Sequence, residues 1–83
     1  MKTIAQQKRE AAIGVIESAA RKYGSTFITR DQIGEFTGGA FSPRYMANLD
    51  SKNVGVQGAF KVGRRQCYPI DSLCEWLISR LEV

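Results

Sequence analysis

The sequence predicts a mainly α-helical fold with one small β-hairpin, arranged as a winged helix-turn-helix with an extra N-terminal helix. Three observations predict it. A proline-free N-terminal stretch carries an apolar stripe at helical spacing, and two helix-start signals follow, separated by a glycine turn. The run "AFKVGRRQCYP" then bends at Gly63 just before an amphipathic stretch that holds Trp76. At 83 residues the chain has room for one domain, residues 1–83, and its 43% hydrophobic content suits a small core rather than disorder.

The first element, "TIAQQKREAAIGVIESAARKYGS", is rich in Ala, Glu, Lys, Arg and Gln, which favours a helix over residues 3–23. Ile13, Ile16, Ala20 and Tyr23 form its apolar stripe, and Gly24 stops it as a left-handed cap. In "TFITRDQIGEFTGG", Thr29 followed by Gln32 is a capping-box pattern that opens a short helix with Ile33 and Phe36 turned inward. Gly38 and Gly39 end it. The connection "GAFS" leads into "SPRYMANLDSKN", where Ser42 is the N-cap and Pro43 takes the first helical position. Residues 29–52 therefore read as a helix-turn-helix.

At about 100° per residue, Met46 and Leu49 of the second helix point one way while Arg44, Asn48 and Ser51 point nearly opposite. Tyr45 and Lys52 lie on one flank and Ala47 on the other. The hairpin, residues 59–69, has two possible registers. A two-residue loop at Gly63-Arg64 pairs Phe60 with Cys67; a three-residue loop pairs Phe60 with Tyr68 and Val62 with Gln66. The second is preferred because it gathers Phe60, Val62 and Tyr68 on one apolar face with Lys61 on the other. Arg64 is at the tip in both. Pro69 ends the strand, and Asp71 or Ser72 caps a last helix over residues 71–82 with Leu73, Trp76, Leu77 and Leu81 inward. Trp76, Phe36 and Phe60 are expected in the core.

Charge narrows the function. The net charge of +4 is concentrated in residues 42–68, where Arg44, Lys52, Lys61, Arg64 and Arg65 face only Asp50. Such a block suits a polyanionic partner such as nucleic acid, although arginines at a surface bend can also be merely solvated. Four Phe, three Tyr and one Trp leave little volume for an enclosed substrate cavity. With no histidine and no recognisably spaced carboxylate pair, no general acid-base set assembles, so no enzymatic activity is expected. Cys67 and Cys74 are too few for a structural zinc site, and no cofactor motif is present. With no secretory signal ahead of them, the expectation is two reduced thiols in a cytoplasmic protein with no membrane span.

The run "FTGGAFSPRYMANLDSKNVGVQGAFKVGRRQCYPIDSLCEWLISR" resembles the small excisionase-like DNA-binding proteins of phages, plasmids and integrative elements, whose fold is a MerR-like winged helix. The matching pieces are the glycine turn into "SPRYMANLDS", the "FKVGRRQCYP" wing and the "DSLCEWL" closing helix, over about residues 27–81. The resemblance implies a recognition helix in the major groove and a wing on the backbone or adjacent minor groove. Ser42, Arg44, Tyr45 and Asn48 then fall at the start of the recognition helix, and Arg64 and Arg65 at the wing tip. Many family members lack the N-terminal helix.

These readings give a candidate DNA-binding set. Arg44 and Asn48 have forked groups that match guanine and adenine edges; Ser42 and Lys52 suit phosphates; Lys61, Arg64 and Arg65 suit the flanking backbone. Tyr45 is open between core packing and phosphate contact. The expected partners are double-stranded DNA, an integrase or recombinase, and a second copy in a homodimer or cooperative assembly. The expected function is an excisionase or recombination directionality factor. A transcriptional regulator of mobile-element genes and a protein-interaction adaptor without DNA binding are the alternatives.

Overall fold

The structure, a computed structural model, describes residues 2–82. It is mainly helical, with four α-helices and a three-stranded antiparallel sheet among the described residues. Helix α1 spans Ile4–Tyr23. The Thr3 hydroxyl oxygen accepts from the Gln6 N–H at 3.1 Å, and the Gln6 side-chain oxygen accepts from the Thr3 N–H at 2.8 Å. Two otherwise orphaned donors are thereby satisfied, and Gly24 closes the helix in the left-handed region as expected. Ile13, Ile16, Ala20 and Tyr23 are half-buried, with α1 packed on the closing helix, and Tyr23 meets Phe36 edge-on. Residues 4–11 of α1 are exposed.

Strand β1, Phe27–Thr29, was not among the expected elements. It pairs with the hairpin, so the hairpin becomes part of a larger sheet. A 3₁₀ turn, Arg30–Gln32, follows and carries the Thr29–Gln32 capping box; helix α2 is Ile33–Phe36, with Ile33 fully buried. Gly38 and Gly39 take φ of 65° and 88°, a reversal that a side chain would strain, and deliver the chain to helix α3, Pro43–Ser51.

Strands β2, Phe60–Val62, and β3, Arg65–Pro69, form the hairpin, with β3 central in the order β1-β3-β2. The register differs from the preferred one. Phe60 pairs with Cys67, Lys61 with Gln66 and Val62 with Arg65, which leaves Gly63-Arg64 as a two-residue loop. Gly63 at φ 62° provides the positive φ that such a tight turn demands at its first position. One residue of register exchanges the faces of a strand. Tyr68, opposite Ile28, is buried, whereas Phe60 and Val62 sit on the outer face and are 38% and 55% exposed. Phe60 is therefore not a core residue. It lies edge-on to Phe27 at 5.3 Å, on the face of buried Cys67, and Lys61 shares its face with Gln66 and Tyr68.

Helix α4 covers Ile70–Ser79, beginning one residue before and ending three before the expected 71–82. Neither Asp71 nor Ser72 caps it. Pro69 holds the cap position, and the Ile70 N–H donates to the Thr26 carbonyl at 2.8 Å, so the chain ahead of β1 satisfies the end that a side chain was expected to serve. Ile28, Ile33, Met46, Val56, Tyr68, Ile70, Leu73 and Trp76 form the core, flanked by Phe36, Phe41, Leu49 and Leu77. The Arg80 guanidinium covers the Trp76 ring at 4.8 Å. No helix of the described residues is long and apolar enough to cross a membrane. Cys67 and Cys74 are free thiols, and burial, with Asp71 and Glu17 nearby, pushes the Cys74 thiol pKa up.

Candidate nucleic-acid interface

Helix α3 is set by its two ends. At the first, the Ser42 side-chain oxygen accepts from the Tyr45 N–H at 3.1 Å and Pro43 occupies the first turn. The hydroxyl hydrogen of Ser42 stays available to an outside acceptor. At the other end Lys52 is the cap and Asn53 adopts φ 58°. The Val54 N–H donates to the Leu49 carbonyl and the Asn53 N–H to that of Asp50, each at 3.1 Å. This is a Schellman closure with asparagine in the left-handed position.

Between these ends Met46 is fully buried and Leu49 half-buried, so the opposite face must look outward. Arg44, Asn48, Ser51 and Lys52 are exposed there. The Ser51 hydroxyl donates to the Asn48 main-chain carbonyl at 2.9 Å, and the Asn48 side-chain amide has no hydrogen-bond partner among the described residues. Tyr45 is 40% exposed and stacks on Phe41 at 5.6 Å with 19° between the rings, and Phe41 in turn meets Trp76. One face of Tyr45 is thus given to packing, and its rim stays at the surface.

A polar cluster that the sequence did not announce fixes the rotation of α3. The Arg30 Nη2 donates to Asp50 Oδ2 at 2.6 Å, its Nε donates to the Tyr68 hydroxyl at 3.1 Å, and that hydroxyl donates to Asp50 Oδ2 at 2.6 Å. Burial works against the Arg30 charge, but hydrogen bonds to Tyr68 and Asp50 outweigh it and hold its pKa above the ordinary value. Burial pushes the Tyr68 phenol up to about 12; the Asp50 carboxylate adds to the rise and Arg30 opposes it. Gly55 lies against the same carboxylate, and a Cβ there would collide with Asp50 Oδ1. The only sequence signal was Asp50 itself, a lone acid among five cations; its partners lie 18 and 20 residues away.

The cations divide unequally. Arg65 was expected at the free tip, yet it lies within β3 and its Nη1 donates to Asp31 Oδ2, with both side chains well exposed. Arg44, Lys52, Lys61 and Arg64 make no ion pair among the described residues. Arg64 occupies the hairpin turn. The C-terminal end of α3 and strand β3 meet at one cleft, lined by Asp50, Asn53, Gln57 and Gln66, so the structure brings the helix end and the hairpin together. No group of three or more Cys, Asp or Glu side chains is gathered to hold a metal among the described residues. What this arrangement offers chemically is a set of uncommitted cationic and amide donors on two adjoining elements.

Comparison with protein-family models, with curated proteins and with solved structures returns no match to this chain.

Proposed function

We propose that the chain is a sequence-specific DNA-binding protein of winged-helix plan, with α3 as the recognition helix and the β2–β3 hairpin as its wing. The carrying observation is the pair of adjoining elements whose cations, Arg44 and the cap residue Lys52 of α3 and Lys61 and Arg64 of the hairpin, make no ion pair among the described residues. Unpaired cations on a surface that also presents a free amide suit a phosphate lattice with bases between. Arg44 and Asn48 read base edges; Ser42 and Lys52 hold phosphates at the two ends of α3; Lys61 and Arg64 grip the flanking backbone. Arg65 is a weaker contributor because Asp31 neutralises it, and Tyr45 offers its rim to a phosphate while its ring packs.

The role that the resemblance over residues 27–81 supports is architectural: an excisionase or recombination directionality factor that works with an integrase. The exposed first turns of α1, residues 4–11, with Ile4 71% exposed, are the surface left over for a protein partner. A gel-shift series tests the DNA reading. The full chain on the attachment-site DNA of its own element should give a discrete complex, and Arg44→Ala should weaken it roughly 5- to 150-fold and relax preference at one base position. No complex at low salt overturns DNA binding and favours the adaptor. Deletion that alters transcript levels while leaving excision frequency unchanged replaces the excisionase role with the regulator.

A further inference from the structure

We infer that the cleft between the end of α3 and the hairpin is a neutral saddle for one DNA sugar-phosphate strand, held by the side-chain amides of Asn53, Gln57 and Gln66. The inference rests on the DNA-binding reading above and adds a site to it. With α3 in the major groove and the hairpin gripping the flanking backbone, the sugar-phosphate strand at the edge of that groove runs between the two elements. The segment joining α3 to β2 therefore passes over that strand.

The structure puts a cleft of about 300 Å³ at this place. Its lining includes Asn53, Gln57 and Gln66, and none of the three side chains has a hydrogen-bond partner among the described residues. The other polar side chain in the lining is Asp50, whose Oδ2 is occupied by Arg30 and Tyr68. No lysine or arginine lines the cleft, but two stand at its rims: Lys52 beside Asn53, and Lys61 paired across the hairpin with Gln66. Amide N–H groups donate to phosphate oxygens without adding charge.

Neutral and cationic phosphate contacts differ in their salt response, which makes the inference testable. A cation displaces counterions, so its loss lowers the slope of log affinity against log salt; a neutral amide displaces none, so its loss lowers affinity equally at every salt concentration. The experiment titrates the full chain onto a mixed-sequence DNA duplex over a salt series, with the parent and the Gln57→Ala, Gln66→Ala double variant. The expected result is about ten-fold weaker binding with an unchanged salt slope and an unchanged melting temperature. Gln57→Glu alone, in an exposed loop, should weaken binding most at low salt, because a carboxylate repels the strand until salt screens it. If the parent binds and both variants match it, the saddle is overturned and the DNA-binding reading stands. If the parent does not bind the duplex even at low salt, both are overturned.

Discussion

The guanidinium of Arg30 and the carboxylate of Asp50 meet at 2.6 Å, joining the turn before α2 to the last turn of α3. The Tyr68 hydroxyl closes the cluster from the central strand. Three elements that no local signal connects are thereby locked in one orientation, and the outward face of α3 follows from it. The cluster also takes the one acidic side chain of the basic block out of play, as Asp31 does for Arg65, so Arg44, Lys52, Lys61 and Arg64 carry the charge the block presents to a partner.

Asp50→Ala should cost about 2 to 3 kcal/mol, because it strands a largely buried guanidinium and leaves the Tyr68 hydroxyl without its acceptor. Urea unfolding at neutral pH measures it. A loss below about 0.5 kcal/mol would mean that the cluster does not hold α3 in place.

Alkaline pH should destabilise the fold through Tyr68. Its folded-state pKa of about 12 lies above the free value of 10.0, so folding favours the neutral phenol. That contribution is complete below pH 10, falls as pH rises toward 12, and amounts to about 2 to 3 kcal/mol when fully lost. Stability followed over this range in the parent and in Tyr68→Phe checks it: the variant should start lower at neutral pH and show a shallower alkaline decline. Equal declines would assign the effect to other groups, Tyr23 among them, whose pKa burial and Glu35 also raise.

Two glycines should respond in opposite directions. Gly55→Ala drives a methyl group into the Asp50 carboxylate and should destabilise by about 1 to 3 kcal/mol. Gly14→Ala, in the middle of α1 with open space around it, should stabilise by about 0.5 to 1 kcal/mol. Thermal melts of both variants read the two signs directly.

Asp31→Ala should strengthen DNA binding. It frees Arg65 from its ion pair and removes a carboxylate from the hairpin's vicinity, so affinity should rise severalfold and the salt slope should steepen by up to about 0.9. Because both partners are well exposed, stability should change by less than about 1 kcal/mol. A salt titration of parent and variant on one duplex decides it; identical slopes would show that Arg65 reaches no phosphate.

Features carried by neighbouring residues were legible without the structure. Gly24 stops α1, the Thr29–Gln32 box opens the turn before α2, and Ser42 with Pro43 opens α3, because caps act over three or four residues of contiguous chain. The outward set Arg44, Asn48 and Ser51 followed in turn from helical angle alone. Tertiary structure decided what depends on partners far along the chain. The hairpin register turned on Gly63 and on β1, which needs Tyr68 on the core face beside Ile28; a single-residue shift therefore carried Phe60 out of the core. The confinement of Arg65 by Asp31, and of Asp50 by Arg30 and Tyr68, spans separations of 18 to 34 residues. Composition and periodicity carry no information about such pairings, because the same charges would read identically whether paired or free.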